Sequence, residues 1–155
     1  MVENKAIYER VKVNRKAVRA VMGMVKNTGY YKKCKPEQQM QHLRRLCDYL
    51  GAVYRVPVPS VEFGLFPCYM PSLQTILLDK PSIISFLHEY RHHLQCYAGK
   101  QYKGLTIEQD ARAWSLRIFH LGFPKMFEKA VKEGKVYFVA WDTELGKIVD
   151  DAPYI

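Results

Sequence analysis

No apolar run in this chain is long enough to span a bilayer: the longest uncharged stretch, Phe63 to Leu78, is broken by Pro67 and Pro71. The first residues include Glu3, Lys5 and Glu9 and lack the apolar centre of an export signal, so a cytoplasmic location without membrane attachment is expected. Cysteine is sparse. Cys34, Cys47, Cys68 and Cys96 show no CxxC spacing, and a chain of 155 residues with 48% hydrophobic residues buries enough surface to fold without disulfides, so four free thiols are expected. There is no internal repeat and no low-complexity tract, which excludes solenoids and linker-rich architectures. Acidic residues are scarce as well, with 15 Asp and Glu against 24 Lys and Arg.

The resulting charge of +9 is concentrated at one end, because residues 1–51 carry 12 Lys and Arg against 4 Asp and Glu. Such a segment either forms a solvated helix face or meets nucleic acid or an acidic partner, and no nucleic-acid-binding motif accompanies it. One domain is expected over residues 1–155. It divides into a basic helical segment (1–33), a core (52–122) and a C-terminal helix with a hairpin (123–155).

Periodicity predicts a helix over residues 4–26 that ends at Asn27-Thr28-Gly29, and a second from Pro36 that Gly51 stops. Val61, Phe63 and Leu65 alternate as in a strand, and Leu73 to Leu78 forms another. Pro81 and Ser82 open a third helix with an apolar side of Ile84, Leu87, Leu94 and Ala98, capped by Gly99. Thr106 and Gln109 have capping-box spacing ahead of a helix to Leu121; a short helix over 125–132 and a hairpin over 136–149 complete the chain.

The third helix carries His88-Glu89-Tyr90-Arg91-His92, an HExxH pattern. Helical residues four apart share a face, so His88 and His92 can reach one tetrahedral zinc ion. Glu89 sits one position round, where it can hold a water as general base without binding the metal. A third ligand must come from another element, and Glu108 in the first turn of the next helix is the leading candidate. The helix macrodipole alone also favours Glu108 and Asp110 there. These two carboxylates point about 200° apart around the helix axis, so only one is expected to face the motif helix.

The combination of His88, Glu89 and His92 with Glu108, Ala111 and Trp114 resembles the gluzincin metallopeptidases, most closely the minigluzincins and ImmA/IrrE-like proteins. The resemblance covers about residues 55–121. With the elements read above, it leads to the expectation of an α+β fold with a small, mostly antiparallel sheet against the motif helix and additional N-terminal helices. It also implies one zinc per chain held by His88, His92 and Glu108, and hydrolysis of a peptide lying along the rim strand Leu73 to Leu78. From sequence, an internal position for that strand is equally open. One departure stands out: Arg112 occupies the position where many gluzincins carry Asp or Asn to orient a zinc-bound histidine, which leaves Asp110 as a candidate for that support.

His93 and Gln95 lie on or near the ligand face, while Tyr69, Tyr97, Tyr102 and His120 are candidate oxyanion donors; His42 has no assigned role. The expected activity is zinc-dependent peptide hydrolysis in the cytoplasm. The alternatives are a protease recruited to DNA by its basic N-terminal helix, and a non-catalytic binding or regulatory protein with a structural or vestigial zinc site.

Overall fold

The computed structural model describes residues 11–97 and 107–134. Helix α1 (Arg15–Thr28) begins within the helix expected over 4–26, because the Asn14 side chain accepts a hydrogen bond from the Lys16 backbone N–H and caps it there; residues 4–10 of that expectation lie outside the described residues. Residues 11–14 belong to no helix or strand, and Val11 and Val13 among them are buried. Gly29 ends the helix at φ 66°, a left-handed conformation that costs glycine little.

Helix α2 (Pro36–Tyr54) starts at the expected proline but runs through Gly51 to a left-handed cap at Arg55. Gly51 is a packing residue here, not a stop. A Cβ at this position would lie 3.1 Å from Val58 Cγ2 and 3.2 Å from the Val56 carbonyl oxygen, so any larger residue would push the returning chain back by a few tenths of an ångström. Nine of the ten Lys and Arg residues between positions 11 and 51 are exposed, so the basic charge covers the outside of this helix pair.

Three short strands follow, β1 (Ser60–Phe63), β2 (Cys68–Met70) and β3 (Thr75–Leu78), in the spatial order β1-β3-β2. The fold is α+β, as expected, with one refinement of the sheet. β1 pairs with β3 in parallel and β2 pairs with β3 antiparallel, which makes it mixed. β2 was not legible in the sequence. It returns to β3 through a 3-10 turn at Pro71–Leu73, closed by Gln74 at φ 45°. The Leu73 to Leu78 segment is therefore the central strand, and β2 is an edge. Leu65, expected to continue a strand, is 93% exposed in the loop.

Helix α3 (Ile83–Gln95) begins at Ser82, whose hydroxyl accepts from the Ser85 N–H. It is packed between the sheet and helix α4 (Ile107–Gly122), while α1 braces α4 and α5 (Pro124–Lys132) closes the end. Phe86, Tyr90 and Trp114 stack in sequence through the α3–α4 seam at centroid distances of 5.9 and 6.4 Å. The expected caps at Gly99 and Thr106 and the hairpin over 136–149 lie outside the described residues.

Inside this seam sits an ion pair. The Arg91 Nε donates to Asp110 Oδ2 at 2.8 Å and Nη2 donates to Oδ1 at 3.3 Å, with side chains only 4% and 2% exposed. The guanidinium also lies 5.3 Å from the Trp114 ring centroid. Removing one partner leaves the other charge buried, so Arg91→Leu is expected to cost about 3–5 kcal/mol in urea unfolding. Breaking the exposed Arg44–Glu62 pair is expected to cost less than about 1 kcal/mol. Equal costs would show that burial does not set the difference.

Candidate metal centre

His88 and His92 stand one turn apart on α3, with ring centroids 4.9 Å apart. Helix α4 returns along α3 and brings Glu108 across both: its Oε2 lies 3.0 Å from His88 Nε2 and its Oε1 lies 2.9 Å from His92 Nε2. The three residues offer ligand atoms within 4.8 Å of one another, the one group of His, Cys, Asp or Glu with this spacing among the described residues.

The donor chemistry fits a metal ion. Two imidazole nitrogens face two carboxylate oxygens, so with neutral imidazoles presenting lone pairs the arrangement is repulsive until a proton or a cation stands between them. Ligand atoms about 2.0–2.1 Å from a tetrahedral ion stand roughly 3.3 Å apart, and the two separations of imidazole from carboxylate lie close to that. Burial lowers the proton affinity of His88, as does the proximity of His92, against an opposing contribution from Glu108; this favours the neutral ligand form.

Glu89 stands one residue from His88, is 7% exposed and lines the same cleft of about 500 Å³. Burial raises its carboxyl above the ordinary range, with His92 drawing it down and Glu108 pushing it up. The cleft runs between α3, the Ile107 end of α4 and the edge strand β2, where Cys68 and Tyr69 form the opposite wall.

Asp110 does not join Glu108, yet it too reaches α3. The expectation that only one carboxylate would face the motif helix therefore fails. Their opposed directions straddle α3: Glu108 meets the short imidazoles on the cleft side, and the long Arg91 and Gln95 side chains reach Asp110 in the seam. Gln95 takes a supporting position, with Oε1 2.7 Å from His92 Nδ1.

The other candidates lie away from the ligands. His93 is fully buried, with Nε2 2.6 Å from the Pro57 carbonyl oxygen and Nδ1 2.7 Å from the Tyr69 hydroxyl. The carbonyl only accepts, so Nε2 carries the hydrogen and Tyr69 must donate to Nδ1. Tyr69 thus reaches the cleft with its proton committed to His93, and burial pushes that hydroxyl well above the ordinary phenol range, with Cys96 adding to the effect. Tyr97 packs its ring on His93 at 5.3 Å, and His120 stacks on Phe127 at 4.0 Å, between α4 and α5. Tyr102 lies outside the described residues.

Sequence reasoning missed Arg91, although a signal was present. It stands four residues after Leu87 and three before Leu94, on the apolar face of α3, where a charge demands a buried counter-ion. No helix among the described residues is long and apolar enough to cross a membrane. Comparison with protein-family models, curated proteins and solved structures yields no match to this chain.

Tyr69→Phe is expected to leave the buried Nδ1 of His93 without a donor and to cost about 1–3 kcal/mol of stability in urea unfolding. Metal uptake, measured on the same variant, should be unchanged. Lost metal uptake at unaltered stability would instead move Tyr69 into the metal chemistry.

Proposed function

We propose that this protein is a zinc-dependent peptidase in which His88, His92 and Glu108 hold the metal and Glu89 is the general base. The observation that carries the reading is the meeting of those three side chains from two helices at one wall of an open cleft, with a buried carboxylate beside them. The resemblance of the two motifs to the gluzincins supports the same reading.

The donor set of two imidazoles and one carboxylate, all nitrogen and oxygen, suits zinc. Zinc held there supplies Lewis acidity, polarising the scissile carbonyl and lowering the pKa of a coordinated water to roughly 7. Glu89 takes the proton of the attacking water and passes it to the departing amine. Its burial suits that exchange, because a carboxyl raised toward neutrality both accepts and releases a proton readily.

The substrate backbone lies along β2 in place of the Leu73 to Leu78 segment, which is central to the sheet. One side of β2 pairs with β3 and the other offers backbone groups to an extended peptide, while Cys68 and Tyr69 keep that edge beside the ligands. A reducing, cytoplasmic setting accords with four unpaired cysteines.

Glu89→Gln separates chemistry from metal binding, since it keeps the shape and removes the base. Zinc content and unfolding midpoint should match wild type, and hydrolysis of a cleavable peptide should fall by roughly 10²- to 10⁴-fold. Undiminished hydrolysis would remove Glu89 from the mechanism.

A further inference from the structure

We infer that the groove between α1 and α2 binds single-stranded nucleic acid, with a base entering the groove and the flanking phosphates meeting the cations on its rim. The groove shares no lining residue with the metal cleft, so the inference stands or falls apart from the metal reading.

The charge of this helix pair is one-sided. Residues 11–55 carry 11 Lys and Arg against two acidic residues, Glu37 and Asp48. Arg44 is half-buried and paired with Glu62, and the other cations are exposed. Arg15, Arg19 and Lys26 recur at spacings of four and seven residues, which puts them within about 40° of one another around α1. Lys32, Lys33 and Lys35 stand exposed in the turn that leads into α2.

Between the helices lies a groove of about 380 Å³, within the size range of small-ligand sites. Arg19, Gly23 and Met24 line it from α1, and His42, Arg45, Leu46 and Tyr49 from α2. No carboxylate is among its lining residues, and His42, which the sequence left without a role, joins two arginines there. Leu46 is buried and Met24 half-buried, while Arg19 and Arg45 are exposed and the Tyr49 ring is 51% exposed. The groove is therefore apolar at its base, aromatic at one side and cationic at its rim.

That combination fits an unpaired strand. Guanidinium groups hold phosphates by charge and by paired N–H donors, and the flat face of an unstacked base suits the Tyr49 ring and an apolar floor. A duplex keeps its bases stacked inside and would bring only phosphates to the rim. An acidic polypeptide would meet the same cations without a flat ring at each repeat to fill the groove.

Gly23 allows the groove to be closed without touching the charge. A Cβ there would find its nearest neighbour outside the helix backbone, Asn27 Nδ2, at 3.9 Å, so a leucine fits on α1 and occupies the groove. The test is fluorescence anisotropy of the full chain with labelled strands of about 12 nucleotides, thymidine for DNA and uridine for RNA, beside a duplex of equal length and polyglutamate. Wild type should bind at least one of the strands, with log affinity falling against log salt at a slope of roughly −2 to −3 for three or four neutralised phosphates. Arg19→Glu combined with Arg45→Glu should weaken binding by at least about 10-fold and flatten that slope. Tyr49→Ala and Gly23→Leu should each weaken strand binding by roughly 10-fold at an unchanged slope, and Gly23→Leu should leave duplex binding as it was. Unfolding midpoints and zinc content, measured alongside, should match wild type. Absence of strand binding at low salt overturns the inference, as does strand binding that either Tyr49→Ala or Gly23→Leu leaves unchanged. Equal loss on duplex in Gly23→Leu, or polyglutamate bound as tightly and with the same sensitivity to Gly23→Leu, also overturns it, the latter assigning the groove to an acidic protein.

Discussion

The buried pair of Arg91 and Asp110 is the constraint on which the site depends. Arg91 lies on α3 between His88 and His92, and Asp110 lies two residues past Glu108 on α4. Joining them fixes the register of the two helices, and the register places a carboxylate from one helix over two imidazoles of the other. A buried ion pair contributes little net stability, because desolvation offsets most of the attraction. What it contributes here is specificity of alignment. A slip of α4 by one turn, about 5.4 Å, would strand two charges in a seam lined by Tyr90 and Trp114.

The site is built from unequal halves. The imidazoles are held on the packed side, 19% and 14% exposed at their side chains, while Glu108 is 65% exposed at the mouth of the cleft. The buried half is organised by hydrogen bonds that leave little choice of direction, through Gln95 behind His92 and through Tyr69 and Pro57 around His93. The second of these networks ties α3 to the strand that forms the facing wall, so the width of the cleft is set by the same helix that carries the ligands. Rigid support behind the two imidazoles and an open approach before them are what the proposed hydrolysis needs.

Features set by near neighbours in the chain were legible in the sequence. The motif helix, the Pro36 start and the Gly29 stop follow from residues within a few turns of each other, whereas the preference for Glu108 came from the resemblance to the gluzincin motifs. Features set by distant contacts were not. Gly51 reads as a helix stop, but it lies inside α2, where Val56 and Val58 fold back closely over it. β2 has only three residues between two prolines, too few to show a period, and it exists because β3 pairs with it. The exclusive choice between Glu108 and Asp110 treated side chains as directions without lengths. Arg91 and Gln95 are long enough to meet Asp110 from the far side of the same helix.

The central claim is that this arrangement holds one metal ion, and the elemental content of the purified protein tests it most directly. After incubation with zinc and removal of the excess, wild type should carry about one zinc per chain and His88→Ala should carry none, with circular dichroism confirming that both are folded. A folded wild type that emerges free of zinc would contradict the account. The meeting of His88, His92 and Glu108 would then be a hydrogen-bonded contact between two helices.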